Sequence, residues 1–179
     1  MTETQEQAPG VADDPTSRSR TFSWTDPALT AARIGSTPGL EMLRAMQGGE
    51  IPAPPILQLV GATGLEAEEG RVTVFMPAAE FHYNPLGTVH GGIIATLLDT
   101  AAGCTVHSTL PAGVGYTSLD LMTRFIKPVT TKSGLLRCEG TIISRGRRTA
   151  VAEARLFDEG GTLLAQATST CLIFEVPQA

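Results

Sequence analysis

Between Glu80 and Arg124 the chain carries only two formal charges, Asp99 and Asp120. Inside that interval, Val89 to His107 reads as one helix with apolar residues on every side. A helix apolar all round is a buried helix. Downstream the period changes to two. Tyr116 to Lys127 alternates, with Thr117, Leu119, Leu121, Thr123 and Phe125 on one face, and Pro128 ends it. Leu135–Ser144, Arg148–Phe157 and Thr162–Phe174 read as further strands. Their connections, Arg145-Gly146-Arg147 and Asp158-Glu159-Gly160-Gly161, are hairpin signals. Upstream, Thr63–Ala67 and Arg71–Met76 read as two strands joined across Glu68-Glu69-Gly70. One buried helix and a run of antiparallel strands predict an α+β domain whose meander curls around the helix. The last strand is weakly apolar on both faces, which predicts that the outer face of the sheet packs on another subunit.

The first part of the chain is patterned differently. Residues 1–20 have little to bury and read as a disordered tail. Phe22 and Trp24 are the first large apolar residues, expected to pin the end of that tail. Ser36-Thr37-Pro38 predicts a helix start, with a hydroxyl cap and proline at the first helical position. Leu40, Leu43 and Met46 form its apolar stripe, and Gly48-Gly49 stop it. Ile51 to Ile56 reads as a stiff proline-rich linker, followed by a short apolar segment to Gly61. The expected division is a tail over 1–20, a helical extension and linker over 21–55, and the main domain over 56–176.

Apolar content of 42% suffices for a core, and the net charge of −5 argues against nucleic acid or an anionic membrane as partner. No apolar run approaches the roughly 20 residues that cross a bilayer. The polar, acidic N-terminus lacks a signal-peptide core. Cys104, Cys138 and Cys171 lie far apart in apolar surroundings, which suits reduced thiols in a cytoplasmic protein.

Chemistry concentrates around the buried helix. Asp99 is a lone carboxylate among Leu97, Leu98, Ala101 and Ala102, a costly placement unless it is paired or used. His90-Gly91-Gly92 stands at the helix start. There the first N–H groups lack intrahelical partners, and glycines let a ligand approach. Such a site suits developing negative charge, although a Gly-Gly pair taken alone more often marks a plain glycine turn. Asn84, before Pro85, is either a turn residue or an amide aimed at substrate. His82 and His90 read as loop-shaping histidines, and His107 as a charge partner for the helix C-terminus. Their spacing offers no metal site. Gly91 and Asp99 are eight residues apart, roughly 12 Å along the axis. Acting together, they are expected to come from different chains. Ser118 is on the strand face opposite Leu119, where it can meet a partner subunit. Arg145, Arg147 and Arg148 form the densest basic cluster, either a solvated hairpin tip or a contact for phosphate groups. Ala95, Ala101, Ala102 and Gly103 either leave room for an acyl group or let the sheet approach the helix.

Together, His82-x-Asn84-x-x-Gly87-x-x-His90-Gly91-Gly92 followed by Leu98-Asp99 resembles the signature of the PaaI-type hotdog thioesterases, within the 4-hydroxybenzoyl-CoA thioesterase-like group. The resemblance continues through Thr117-Ser118-Leu119-Asp120, Phe125-Ile126-Lys127-Pro128, Arg145-Gly146-Arg147 and Ala165-Gln166-Ala167-Thr168. It implies a hotdog fold, an antiparallel sheet wrapped around one long helix, assembled as a homodimer or homotetramer. It implies hydrolysis of acyl-CoA, with no cofactor and no metal. By motif position, Gly91 supplies the oxyanion N–H and Asn84 helps hold the carbonyl or water. Asp99 of the other subunit is nucleophile or general base, and Ser118 assists it. His90 and Gly92 belong to the substrate-positioning loop. A hydratase acting on an enoyl or hydroxyacyl thioester, or a non-catalytic acyl-CoA-binding module, remain the alternatives on the same fold.

Overall fold

The computed structural model describes residues 16–176; residues 1–15 of the expected tail lie outside them. The first helix, α1, is Pro27–Ile34, which sequence patterning did not reveal. Asp26 starts it, its carboxylate accepting from Ala28 N–H at 2.9 Å, with Pro27 in the first turn. Helix α2 is Gly39–Gln47, capped by Pro38 without a side-chain hydrogen bond. The expected hydroxyl cap is therefore corrected: Ser36 donates instead to the Arg33 carbonyl at 3.4 Å, closing α1. The short apolar segment after the linker is a helix, α3, over Pro55–Val60, closed by Gly61 at φ +76°.

Strands β1, Gly64–Glu68, and β2, Arg71–Pro77, form the first hairpin. Helix α4 runs from Gly91 to His107. It starts later than expected because Val89 is held in a bridge with Tyr83 and donates to the Val129 carbonyl. Strands β3, Val114–Ser118, and β4, Met122–Phe125, follow. Strands β5, Leu135–Arg145, β6, Thr149–Phe157, and β7, Leu163–Glu175, complete a seven-stranded antiparallel sheet.

Two features depart from the simple alternation. The order is β1-β2-β5-β6-β7-β3, so the chain leaving α4 joins the far edge rather than the next place in the meander. Helix α4 carries it roughly 25 Å across the concave face at 1.5 Å per residue. The segment expected as one strand is also broken. Ser118 pairs with Cys171 and Met122 with Thr168, a slip of one residue. Asp120 holds this bulge: its carboxylate accepts from Thr170 N–H at 3.0 Å and its carbonyl from the Ser169 hydroxyl at 2.8 Å.

The core lies between α4 and the inner face of the sheet. Leu97, Leu98, Ala101 and Ala102 meet Val72, Val74, Leu136, Ala152, Ala154 and Ala165, all buried. A Cβ at Gly140 would overlap the Ala101 carbonyl and the Thr105 hydroxyl. The small residues of α4 and β5 therefore serve close helix–sheet contact. Gly103 does the same for Tyr116, whose hydroxyl would lie 2.6 Å from a Cβ there.

The outer face of the sheet is charged, with Arg137–Glu139 and Arg155–Glu153 pairs at 2.6 and 3.1 Å. On the edge formed by β3 and β4, Leu119, Met122, Phe125 and Ile126 are exposed, as are Leu135 and Ile143 of β5 and Phe174 of β7. Phe22 and Trp24 stack on each other at 5.5 Å yet stay 39% and 59% exposed. Arg20 is what ties this segment down. Its guanidinium donates to the Gln58 and Leu59 carbonyls at the end of α3 and lies 4.0 Å over the Phe81 ring.

Candidate active site

The loop before α4 is built by Asn84. Its Oδ1 accepts from Leu86 N–H at 2.9 Å and Thr88 N–H at 3.3 Å, and its Nδ2 donates to Thr88 Oγ1 at 3.1 Å. Gly87, at φ +73°, makes the left-handed step that the turn requires. His90 then closes the loop by donating its N–H to the His82 carbonyl at 2.8 Å.

These contacts leave one donor over. Ile93 and Ile94 donate to the His90 carbonyl at 3.0 and 3.3 Å, and Gly92 donates to His90 Nδ1 at 2.9 Å. Among the described residues nothing accepts from Gly91 N–H. It opens onto a recess of about 350 Å³ lined by Asn84, Phe125 and Lys127, at the positive end of the helix dipole. The Phe125 ring walls Gly91 closely: a Cβ there would come within 3.1 Å of Phe125 Cζ.

The histidines play structural parts. His82 is buried, its Nδ1 accepting from Ala79 N–H at 3.2 Å and its Nε2 lying 2.8 Å from the Val60 carbonyl. Burial holds its pKa below the usual value. His90 uses Nδ1 as an acceptor, which puts its ring proton on Nε2. His107 differs from expectation. Burial lowers its pKa, so it is a neutral packing group against Tyr116 and not a charge partner for the helix end.

Asp99 lies on the same helix but faces another space. Ser118 Oγ donates to Asp99 Oδ1 at 2.9 Å within one chain. Ser118 follows Tyr116 at period two and pairs with the buried Cys171, which puts it on the face of the sheet that meets α4. Asp99 Oδ2 has no partner among the described residues. The carboxylate borders a cavity of about 580 Å³ between α1, α2 and α4, which also holds Met42, Met46, Cys104 and Tyr116. Burial first, then the Asp99 charge, pushes the Cys104 thiol up to about 12, and burial raises Tyr116 well above its usual value. Neither is an activated nucleophile.

Arg145, Arg147 and Arg148 line a third recess, of about 730 Å³, with Phe174 and Val114. All three are exposed, and none takes part in an ion pair among the described residues. Cys171 pairs with both Ser118 and Ala150, so Ser118 and the start of β6 are two strand spacings apart, about 10 Å. Phe125 pairs with Ala165, about 20 Å along β7 from Cys171. The arginines thus belong with Asp99 and Ser118, and Gly91 and Asn84 form a separate half. Phe125 and Thr88 were not singled out from the sequence as parts of this site. Phe125 lay within a recognised motif, but its place against Gly91 depends on the Asp120 bulge.

The sequence pattern of the thioesterase superfamily matches residues 86–165, which hold α4 and most of the sheet. A candidate esterase of Halobacterium salinarum is 30% identical over 122 residues, covering 65% of this chain and 79% of that protein. A candidate thioesterase of Ralstonia eutropha, a phenylacetic acid degradation-related protein, superposes with a TM-score of 0.66 at 30% identity, covering 73% of this chain and 98% of the other. A Streptococcus mutans protein whose structure contains acetyl-CoA superposes with a TM-score of 0.58 at 25% identity, over 66% of this chain and 90% of its own. With a long buried helix crossing a curled antiparallel sheet and relatives of this kind, the chain belongs to the thioesterase superfamily and has its hotdog fold.

Proposed function

We propose that this chain hydrolyses acyl-CoA thioesters, with an aromatic or medium-chain acyl group, to the free acid and CoA, and that each active site is shared by two copies of the chain. The observation that carries the reading is the unpartnered Gly91 N–H at the start of α4. A preorganised donor there stabilises the oxyanion as a thioester carbonyl becomes tetrahedral. Asn84 keeps one Nδ2 proton free beside it for the same oxygen or the attacking water. Asp99 of the second copy takes a proton from water through Oδ2, while Ser118 fixes the other carboxylate oxygen. The water oxygen bonds to the carbonyl carbon, and the C–S bond breaks. The sulfur leaves as the CoA thiolate and is then protonated.

Two features support the shared site. Gly91 and Asp99 open onto different spaces of one chain. The edge of β3 and β4 beside Phe125 exposes Leu119 and Met122, a surface suited to a homodimer, alone or within a tetramer. The unpaired Arg145, Arg147 and Arg148 suit the CoA phosphates. The Streptococcus mutans relative that holds acetyl-CoA supports the same ligand class. Free-thiol release from a panel of acyl-CoAs, with wild type beside Asp99→Ala, tests the reading. A general base is typically worth about 10²–10⁴-fold. Turnover unchanged in Asp99→Ala overturns the assignment, and transfer of ¹⁸O from Asp99 into the acid product in a single turnover would make Asp99 the nucleophile.

A further inference from the structure

We propose that the cavity under α1 and α2 is the subsite for the acyl chain, and that these two helices, outside the matched residues 86–165, set the length of acyl group accepted. The proposal rests on the thioesterase reading above. Its argument is one of chemical asymmetry. The cavity of about 580 Å³ lies within the usual range for a small-molecule site. Among the described residues Asp99 is the only carboxylate on its lining, and it is the first α4 residue to border it. Ile34 of α1, Met42 and Met46 of α2 and Tyr116 supply apolar walls. The other polar lining groups, Thr30, Thr100, Cys104, His107 and the Tyr116 hydroxyl, carry no charge at neutral pH. The Thr100 hydroxyl is spent on the Thr96 carbonyl at 2.7 Å, and the Cys104 thiol stays protonated and behaves as a small apolar group.

A ligand matching this space has an electrophilic carbon at the Asp99 end and an uncharged hydrocarbon body beyond it. The anionic end of CoA is excluded, because among the described residues no lysine or arginine lines the cavity, while Arg145, Arg147 and Arg148 outnumber Glu175 on the recess beyond Ser118. The cavity follows α4 from Asp99 to His107, about 12 Å along the axis. That length suits a medium-chain or aryl-substituted acyl group. Helix α1 buries none of its own residues and is held by its Asp26 cap and by Gly113 N–H donating to the Ile34 carbonyl at 3.2 Å. It walls the ligand space without supporting the core, so its side chains can change without unfolding the domain.

The test compares Ile34→Trp and Met46→Trp, which fill the cavity from two helices, with Ile34→Ala, which enlarges it. Folding of each is checked by thermal melting, so that one filling variant suffices if the other fails. Thiol release from acetyl-, octanoyl- and decanoyl-CoA is measured in full-length protein. Each methylene that loses its apolar site costs about fourfold in binding. Tryptophan variants are expected to lower kcat/KM for decanoyl-CoA by at least tenfold and to leave acetyl-CoA within about twofold. Ile34→Ala is expected to favour the longest chain. Equal losses on short and long substrates, or no change in a folded filling variant, overturn the proposal. Calorimetry with octyl-CoA thioether separates the two readings. If wild type is inert on every thioester, yet binds the thioether more tightly than CoA and loses that advantage in the tryptophan variants, hydrolysis fails and the subsite stands. Equal binding of thioether and CoA by wild type overturns the subsite.

Discussion

Ser118 Oγ donates to Asp99 Oδ1 at 2.9 Å, joining the end of β3 to the middle of α4 within one chain. The contact orients a carboxylate on an otherwise apolar helix and leaves its second oxygen free. A hydrogen bond to a charged group is worth about 1.5–3 kcal/mol. Ser118→Ala is expected to lower kcat roughly tenfold or more, with less effect on KM, while the melting temperature barely moves because Ser118 is exposed. Steady-state kinetics and a thermal melt on the same preparation check both parts. Unaltered kcat would show that the bond does not serve turnover.

Gly91 offers a comparison that isolates one N–H. It occupies the first position of α4, after His90 in an extended conformation, which is where proline is tolerated. Gly91→Pro removes the single first-turn donor that the fold does not use. Gly91→Ala brings a similar crowding of Phe125 but keeps the donor. Proline is expected to cost about 10²–10³-fold in kcat relative to alanine, the range typical of one oxyanion donor. Equal rates for the two variants would remove Gly91 N–H from the mechanism.

The arginine cluster predicts a split between substrates. Replacing Arg145, Arg147 and Arg148 together by alanine is expected to raise KM for an acyl-CoA about tenfold or more. The same acyl group on pantetheine, which lacks the nucleotide phosphates, is expected to show an unchanged KM. The wild-type KM for acyl-CoA is also expected to rise with salt, since exposed charges are screened. Parallel changes with both substrates would return the cluster to a solvated hairpin tip.

His82 and His107 predict the pH dependence of stability. Burial lowers both pKa values in the folded state. The unfolded chain therefore binds more protons between the lowered folded value and the ordinary histidine value near ~6.5. Stability is complete above that ordinary value and falls as the pH drops through it toward the folded value. Melting temperatures at pH 7.5 and 5.5 should show the loss. His82→Gln should lower the melting temperature at pH 7.5, because the Val60 carbonyl and Ala79 N–H contacts weaken. The same variant should narrow the difference between the two pH values. A pH difference as wide as that of wild type would show that His82 is not one of the groups responsible.

Local pattern was enough to determine several features. The apolar surround of Asp99 marked α4 as buried, because a helix without a polar face has nowhere else to go. Period-two runs with Gly-containing turns marked β5, β6 and β7, since alternation and turn chemistry depend only on neighbours in sequence. The rise of a helix separates Gly91 from Asp99 whatever the surrounding fold.

Other features are non-local, and tertiary structure alone decided them. The Asp120 bulge depends on contacts with Ser169 and Thr170, about fifty residues away, and it turned Phe125 onto Gly91, while pairing with Cys171 set Ser118 against Asp99. The strand after α4 reached the far edge because the helix spans the sheet, which no local period records. His107 became a neutral packing group because α2 and Tyr116 cover it. The cavity beside Asp99 exists because α1 and α2 fold back over α4. Such a space is defined by segments that meet only in three dimensions.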